Sequence, residues 1–337
     1  MLWIAAAPAA LLLLAAWLTP ARLDDDGPLF TAWSFVAFMT RTFTFHAGLA
    51  LATVCIASLL LRARHLAAVT GALGVLIVAT STVRIPTVAT QTTSGDEITL
   101  LSNNLLFINT DMTRTLAQVA AANPDIILFQ EYTPAHHAEL APALAADYPY
   151  AVHAYRDNFY GQAIYSKRPF LDSPEVVRGV TTSHGTHAPG NGPQLRVRVL
   201  LGIQPVTIQN VHTDAPGSLS PYRAQRQQFA WLRDLANDTR GAVVLAGDFN
   251  ATNSSQHIGA LRSTGMIDAL DSNALGRGCT WPDRTVLQWA PGVRIDHVLY
   301  SRDLECVAAH VGTSTGSDHL PVVAKLRVNQ SPRYEEW

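Results

Sequence analysis

Cysteine and charge are both scarce in this chain of 337 residues. It contains three cysteines, too few for a disulfide scaffold or a multi-cysteine zinc module. Charged residues make up 15% of the chain, and the formal net charge is −2. Because bulk positive charge is what attracts a nucleic-acid backbone, we expect no stable nucleic-acid partner. The hydrophobic content of 48% excludes a disordered chain.

The few charges are unevenly distributed, which divides the chain near Gly95. Residues 1–95 hold five basic and three acidic residues, whereas residues 96–337 hold nineteen and twenty-three. Each of three apolar stretches in the first part approaches the roughly 20 residues that a helix needs to cross a bilayer. We therefore predict a membrane region of residues 1–95 with three transmembrane helices, at about residues 2–18, 44–61 and 66–83. A signal peptide is the alternative for the first stretch, and buried core helices are the alternative for the other two.

Flanking charges predict the topology of this region. Residues 24–26 are aspartates after the first predicted span, and Arg62 and Arg64 lie between the second and third. Because basic loops remain cytoplasmic, everything beyond the third span is predicted to lie outside the cytoplasm. The short tether of residues 84–97 would keep it near the lipid headgroups of the cell membrane. We expect the aromatic stretch Leu29–Phe45 to lie in the membrane interface or to pack against the spans.

The second part of the chain alternates strands and helices. Apolar spacing near 3.6 residues predicts helices at Thr113–Asn123 and Tyr222–Asn237. Apolar runs rich in β-branched residues predict strands at 98–106, 125–130, 163–166, 195–201, 206–211, 243–246, 294–300 and 322–328. This pattern indicates an α/β domain over residues 96–329, followed by a C-terminal tail of residues 330–337.

Polar side chains recur where these apolar strands end. They are Asn104, Glu131, His212, Asp248, Asn250, Asp296, Asp318 and His319. Any one of them alone is explained by a turn or a cap, but eight such positions together indicate a site at the mouth of a sheet. The hard oxygen ligands of Glu131 and Asp318 favour Mg²⁺, Mn²⁺ or Ca²⁺ over zinc.

Six short motifs follow one another in this part of the chain: LLSNNLLF, LFQE, NVH, GDFN, IDHV and SDHLPV. In these motifs the chain resembles the endonuclease/exonuclease/phosphatase family, which includes DNase I-like nucleases, sphingomyelinases and inositol phosphatases. The resemblance covers roughly residues 97–328. It implies a four-layer α/β/β/α sandwich, here preceded by the three predicted transmembrane helices, and metal-dependent hydrolysis of phosphoesters.

The resemblance also implies a metal side of the site. Glu131 of LFQE would bind a divalent metal, Mg²⁺ or Mn²⁺, with Asn104 beside it. Asp318 of SDHLPV would complete this side. We assign Asn104 rather than Asn103 from the family's strand, because a shift of one residue would place the side chain on the opposite face.

The remaining motif residues would then carry the chemistry. The resemblance implies that Asp248 and Asn250 of GDFN orient the attacking water and hold the phosphoryl oxygens. His319 would act as general acid or base, and Asp296 of IDHV would pair with it and hold its tautomer. His212 of NVH would contact the phosphate or assist the leaving group.

The sequence does not decide the substrate. In length and layout the chain is similar to a bacterial subset of the family, the teicoplanin-resistance membrane proteins, which implies a phosphatase acting on polyprenyl pyrophosphate, a cell-wall lipid carrier. The alternatives are a membrane-tethered endonuclease or exonuclease, a phospholipid or sphingolipid phosphodiesterase, and a non-catalytic binding module. A binding module would be expected to have lost some of the acidic residues and histidines that are present here. Protein partners, oligomeric state and a disulfide between Cys279 and Cys306 also stay open.

Overall fold

The computed structural model describes residues 11–23, 27–82, 95–177, 180–182, 185–187, 192–272, 276–283 and 291–329. Its helices are α1 (residues 11–18), α2 (Pro28–Thr42), α3 (Thr44–Leu60), α4 (Arg64–Thr82), α5 (Thr113–Ala122), α6 (Pro134–Leu144), α7 (Leu219–Asp238) and α8 (Gln256–Ser263). Its strands are β1 (Glu97–Asn104), β2 (Ile126–Gln130), β3 (Tyr150–Ala154), β4 (Gln162–Ser166), β5 (Glu175–Val177), β6 (Val180–Thr182), β7 (Gly185–His187), β8 (Gln194–Leu201), β9 (Gln204–His212), β10 (Ala242–Asp248), β11 (Ile267–Asp268), β12 (Asp296–Tyr300), β13 (Leu304–Val311) and β14 (Val322–Val328).

Two six-stranded sheets face each other. The first has the order β13-β14-β1-β2-β4-β3, and the second has the order β11-β12-β10-β9-β8-β5. Alternate residues of the central strands point inward and form one apolar cluster, which includes Leu100, Leu128, Ile208, Val244 and Ala324. Burying a side chain of the size of valine or leucine contributes roughly 1.5–3 kcal/mol. This interior is therefore the main source of the domain's stability.

Helices cover the outer face of each sheet. On the first sheet, Leu101 and Phe129 pack with side chains of α5 and α6. On the second sheet, Leu245 packs with Phe229 of α7 and Leu261 of α8. The mixed α/β fold with two facing sheets is thus confirmed. Within the described residues, no disulfide links any pair of cysteines. The predicted limits at residues 95 and 329 stay predictions, and the tail of residues 330–337 lies outside the described residues.

The prediction of three transmembrane helices is not confirmed. By length and composition α4 could cross a membrane, and α2 with α3 could do so as one pair bent by 66°. By itself α3 has 17 residues and rises about 26 Å, less than the roughly 30 Å of a bilayer's hydrocarbon core. The first predicted span begins within residues 1–10, which lie outside the described residues. One or two such helices are weak evidence, because core helices and signal sequences share these properties.

The aromatic stretch that contains α2 packs on the α/β domain. Phe38 is buried, with its ring centroid 5.5 Å from that of Tyr222 and 4.9 Å from that of His257. Ser34 Oγ lies 2.7 Å from the hydroxyl of Tyr222, and Gln256 Nε2 donates to the Ser34 carbonyl over 2.9 Å. This differs from the expected position in the interface or against the spans. An apolar helix face indicates burial, but the surface that covers it is set by tertiary contacts.

A buried ion pair at the edge of the second sheet supports the loop that follows β10. The carboxylate of Asp268 accepts a 2.7 Å hydrogen bond from His297 Nδ1 and lies 3.4 Å from Arg294 Nη2. His297 Nε2 lies 2.9 Å from the Ala251 carbonyl, which holds that loop. Burial raises the pKa of the Asp268 carboxyl, but Arg294 and His297 outweigh it and keep the pKa below its ordinary value.

We expect Asp268→Asn to lower the free energy of unfolding by about 3 kcal/mol at neutral pH, because it leaves buried positive charge uncompensated. The pKa of Asp268 is lower in the folded than in the unfolded protein. Its contribution is therefore complete above the unfolded value of about 3.9 and is lost as the pH falls through the folded value. Urea unfolding at pH 7 and pH 3 measures both effects.

Asp172→Asn is the matched control. The Asp172 carboxylate is 46% exposed and pairs with Arg198 over 2.6 Å, and exposed pairs contribute about 1 kcal/mol or less. An equal loss in both variants would contradict a special role for the buried pair.

Candidate active site

The site lies where the apolar interior between the two sheets ends. Inward-facing positions alternate along a strand, so Asn104 at the end of β1 and His212 at the end of β9 point inward. The parallel pairing of β9 with β10 sets His212 opposite Asp248, and the antiparallel pairing of β10 with β12 sets Asp248 opposite Asp296. Because β1 and β2 are also parallel, Glu131 follows β2 at the same edge. Register and alternation thus bring polar groups from five strands together.

Asn104 links the two sheets at this edge. Its Nδ2 donates to Glu131 Oε1 over 3.0 Å and to Asp248 Oδ2 over 3.1 Å. Glu131 adopts a left-handed backbone with φ 58°, which is uncommon for a non-glycine residue and occurs at functional sites. Its second carboxylate oxygen accepts a 2.8 Å hydrogen bond from the Phe107 N–H. Burial raises the pKa of the Glu131 carboxyl above its ordinary value. Asn103 points to the opposite face of β1.

His319 and Asp296 form a buried pair. His319 Nδ1 donates to Asp296 Oδ2 over 2.9 Å, and its Nε2 lies 3.8 Å from Asp248 Oδ2. Burial lowers the pKa of His319, but the Asp296 and Asp248 carboxylates outweigh this effect and raise it to about 10. The imidazole is therefore protonated at neutral pH. The hydroxyl of Thr280 accepts the backbone N–H of Asp296 over 3.2 Å and fixes the start of β12.

Asp248, Asn250 and His212 complete the same edge. Asp248 Oδ1 accepts the Asn250 backbone N–H over 2.8 Å, and its Oδ2 lies 3.2 Å from Asn250 Nδ2 and 3.7 Å from His212 Nε2. Burial raises the pKa of Asp248 to about 6 and lowers the pKa of His212. Gly247 is required before Asp248, since a Cβ there would lie 1.9 Å from the Val211 carbonyl oxygen.

Asp318 lies at the more open side of the cleft. Its Oδ2 accepts a 3.1 Å hydrogen bond from the indole N–H of Trp281. Within the described part of the chain, Asp318 makes no hydrogen bond to Glu131, but its charge contributes to the raised pKa of Glu131. Sequence reasoning did not find Trp281, because it lies outside the regular strands and outside the six motifs.

A buried amide network beneath the site was also not predicted. Gln130 Nε2 donates to Asn210 Oδ1 over 2.7 Å, and Asn210 Nδ2 donates over 2.9 Å and 3.1 Å to main-chain carbonyls of β2 and β4. Gln194 Nε2 donates to the His212 carbonyl, and the His212 N–H donates to Gln194 Oε1. Gln130 and Asn210 belong to the motifs LFQE and NVH, which could have pointed to them. Gln194 belongs to no motif, so no sequence pattern indicated its role. The bonds of Gln130 and Asn210 join the two sheets where the apolar contacts between them end.

Two groups of donors in the site could hold a divalent metal. One consists of Glu131, whose carboxylate oxygens suit a hard cation, and Asn104, whose amide would have to rotate to offer its oxygen, because its Nδ2 faces Glu131 and its Oδ1 accepts the Leu106 N–H over 3.0 Å. The other consists of Asp248, Asp296 and His319, whose ligand atoms lie within 4.8 Å of one another. In the second group His319 is protonated and already donates to Asp296, so a cation there would meet a positive charge. The donor chemistry therefore favours the first group.

Comparison with known proteins identifies the family. Residues 102–319 match the sequence model of the Endonuclease/Exonuclease/phosphatase family. The chain belongs to this family. Family members are divalent-metal-dependent phosphoesterases and nucleases, and this chain is accordingly a metal-dependent phosphoesterase. No curated protein matched the chain in a sequence search.

Solved structures share the fold of this phosphoesterase. An endonuclease/exonuclease/phosphatase from Beutenbergia cavernae is 22% identical with a TM-score of 0.55, and the match covers 71% of this chain and 73% of that one. TDP2 of D. rerio, in complex with a single-strand DNA product, is 18% identical with a TM-score of 0.53 over 69% and 99% of the two chains. An AP endonuclease from Archaeoglobus fulgidus is 17% identical with a TM-score of 0.52 over 67% and 98%. At these identities the likeness shows the fold alone.

We expect His319→Ala to lower kcat by about 10²–10⁴, since positioned acid–base groups contribute that much. Asp296→Asn should lower kcat as well, because it removes the carboxylate that orients the imidazole and keeps it protonated. Steady-state hydrolysis of a chromogenic phosphoester measures both. His310→Ala is the control, because His310 is exposed on β13 and should keep wild-type kcat. Unchanged kcat in His319→Ala would remove this pair from the chemistry.

Proposed function

We propose that this phosphoesterase hydrolyses the phosphoester or pyrophosphate bond of a membrane lipid on the outer face of the cell membrane. A polyprenyl pyrophosphate of the cell-wall carrier type is the substrate we favour. The observation that carries the proposal is the contact between the apolar α3–α4 hairpin and the loops of the catalytic edge. His46 Nε2 lies 2.6 Å from the Pro291 carbonyl, and the Gly276 N–H donates to the Thr82 carbonyl over 3.1 Å. Next to the hairpin, the Arg41 carbonyl near the end of α2 accepts a hydrogen bond from Ser254 Oγ over 2.9 Å.

The surface of the hairpin supports its insertion into a membrane. Six large apolar side chains on it are between 58% and 80% exposed: Ile56, Leu59, Leu60, Leu61, Val75 and Leu76. Soluble monomers seldom expose contiguous apolar patches of this kind. Arg62 and Arg64 lie at the turn between α3 and α4, and the positive-inside rule assigns this turn to the cytoplasm. The catalytic domain then lies outside, and only the two helices of the hairpin need to cross, with the bilayer thinned locally around the shorter helix α3.

We assign the metal to Glu131, Asn104 and Asp318, with Mg²⁺ or Mn²⁺ as the ion. Glu131 and Asn104 are in direct contact, and Asp318 faces them across the more open side of the cleft. When bound, a divalent cation there would offset the negative charge that develops on the phosphoryl oxygens and would make a water molecule more acidic.

The other residues have roles that follow from their protonation states. Protonated His319, held by Asp296, donates its Nε2 proton to the leaving oxygen as the phosphorus–oxygen bond breaks. Asp248 and Asn250 orient the water whose oxygen forms the new bond to phosphorus, and the Asp248 carboxylate takes up the proton that this water loses. His212 is neutral because its pKa is lowered, and it donates a hydrogen bond to a phosphoryl oxygen. Prearranged donors of this kind stabilise the transition state with little reorganisation.

A membrane-tethered nuclease is the second candidate. TDP2 in complex with a single-strand DNA product and an AP endonuclease share the fold. Against it, residues 96–337 carry nineteen basic and twenty-three acidic residues, and a nucleic-acid groove normally carries excess positive charge. A phospholipid or sphingolipid phosphodiesterase is the third candidate; it differs from our favoured hypothesis in the lipid and in the bond it cleaves, a phosphodiester instead of a pyrophosphate.

The substrate is tested with full-length protein in detergent and Mg²⁺ or Mn²⁺. We would incubate it in parallel with a polyprenyl pyrophosphate, plasmid DNA and a phosphodiester lipid, each beside His319→Ala. We expect phosphate release from the prenyl lipid, with loss of that release in the variant. Nicked plasmid with untouched lipids would overturn the proposal and establish a nuclease.

The metal assignment predicts that Glu131→Gln raises the Mg²⁺ concentration for half-maximal activity by about ten- to a hundredfold, as changes around metal sites do. Removing the carboxylate weakens binding of the cation, whereas excess Mg²⁺ should restore part of kcat. Titration of activity with Mg²⁺ measures the shift. Glu139→Gln, at an exposed position of α6, is the control. If Glu131→Gln responds to Mg²⁺ as the wild type does, the metal assignment is wrong and another set of residues holds the cation.

A further inference from the structure

A cavity of about 380 Å³ lies between the membrane-proximal helices and the catalytic domain. Its walls come from the junction of α2 with α3, the end of α4, the loop before α8 and the segment before β12. The loop of residues 252–255 continues the chain from Asn250, and Arg294 precedes Asp296 by two residues. The cavity is therefore a neighbour of the catalytic edge, but none of the eight predicted site residues lines it.

Four arginines line this cavity: Arg41, Arg262, Arg277 and Arg294. Arg262 and Arg294 both pair with Asp268 and Asp271. Within the described ranges, no carboxylate pairs with Arg41 or Arg277, and no acidic side chain lines the cavity. Guanidinium groups therefore outnumber the carboxylates near them, and the cavity carries excess positive charge.

Arg41 has a buried side-chain donor that lacks a hydrogen-bond acceptor among the described residues. Its side chain is only 9% exposed. Nη2 donates to the Trp17 carbonyl over 2.5 Å, and the guanidinium stacks 4.9 Å from the Trp17 ring, but Nε is buried without a hydrogen-bond partner in the described structure. Burying such a donor unsatisfied is unfavourable. An anion in the cavity would supply the missing acceptor.

Arg277 completes a cationic wall with an apolar neighbour. Its guanidinium carbon lies 3.7 Å from the centre of the Phe45 ring, and Nη2 donates to the Gly292 carbonyl over 2.6 Å. Thr44, Ser254 and Ser255 also line the cavity. The hydroxyls of Thr44 and Ser254 donate to the Arg41 carbonyl, whereas the Ser255 hydroxyl accepts the Ile258 N–H and can itself donate to a ligand. Guanidinium groups with hydroxyl groups suit phosphate oxygens, which accept several charge-assisted hydrogen bonds.

We propose that this cavity binds a phosphate-bearing anion at a site separate from the catalytic cleft. The cavity lies at the end of the α3–α4 hairpin where headgroups would be if the hairpin inserts into a membrane, and basic groups at that level attract anionic lipids. A lipid headgroup is thus the source that the surroundings favour, and a free phosphate compound is the other source of the same chemistry. The site does not depend on which phosphoester the cleft hydrolyses.

Calorimetric titration tests this site by binding instead of turnover. Full-length protein in uncharged detergent with EDTA is titrated with dioctanoyl phosphatidic acid and, separately, with glycerol phosphate. We expect Arg41→Gln and Arg277→Gln each to weaken binding by about tenfold, the loss of one charge-assisted hydrogen bond. Arg277→Gln is the safer variant, because Arg41 also joins α2 to the Trp17 carbonyl. Arg240→Gln, at an exposed position after α7, should bind as wild type does.

The two probes distinguish the sources. Tighter binding of the lipid than of glycerol phosphate supports a headgroup site, and equal binding supports a site for free phosphate compounds. His319→Ala should leave binding unchanged, because it alters only the catalytic cleft. The proposal is overturned if neither probe binds, if Arg277→Gln and Arg41→Gln bind like wild type, or if His319→Ala alone abolishes binding. None of these outcomes depends on the substrate assay, so failure of the substrate proposal can be distinguished from failure of the anion-site proposal.

Discussion

The face-to-face burial of two sheets is the constraint on which the rest of this structure depends. Apolar side chains fill the space between the sheets, and that interior must end at an edge where water enters. At this edge the inward-facing positions become polar, and Asn104 and Asn210 connect one sheet to the other. Neither sheet alone holds a complete site, because Glu131 belongs to the first and Asp248 to the second. The same packing that stabilises the fold therefore assembles the chemistry.

Electrostatics inside the cleft follow from that burial. Three carboxylates and two imidazoles lie close together there, and their charges shift the pKa values of Asp248 and His319. His319 is protonated because two carboxylates face it, whereas His212 is neutral because burial dominates. Two chemically identical side chains thus acquire different protonation states from their surroundings.

The N-terminal helices are part of the catalytic domain's surroundings. Through Ser34 and Phe38, α2 is joined to α7 and α8, and the hairpin that follows contacts the segment before β12 at Gly276 and Pro291. This arrangement couples an apolar surface to a phosphoesterase cleft. It also encloses the cavity lined by arginines, which exists only because helices and domain meet there.

The sequence by itself determined the family, the alternation of strands and helices and the polar residues at strand ends, because motifs and periodicity are local properties of the chain. It did not determine that α2 would cover the catalytic domain, since an apolar helix face does not specify its partner. It likewise predicted three spans, whereas among the described residues the lengths and the 66° bend of the helices allow one or two. Only the tertiary structure decided three contacts: Trp281 with Asp318, Gln194 with His212, and Arg41 with Trp17. Such contacts join residues that are separated in the chain, and they depend on how whole sheets and helices pack.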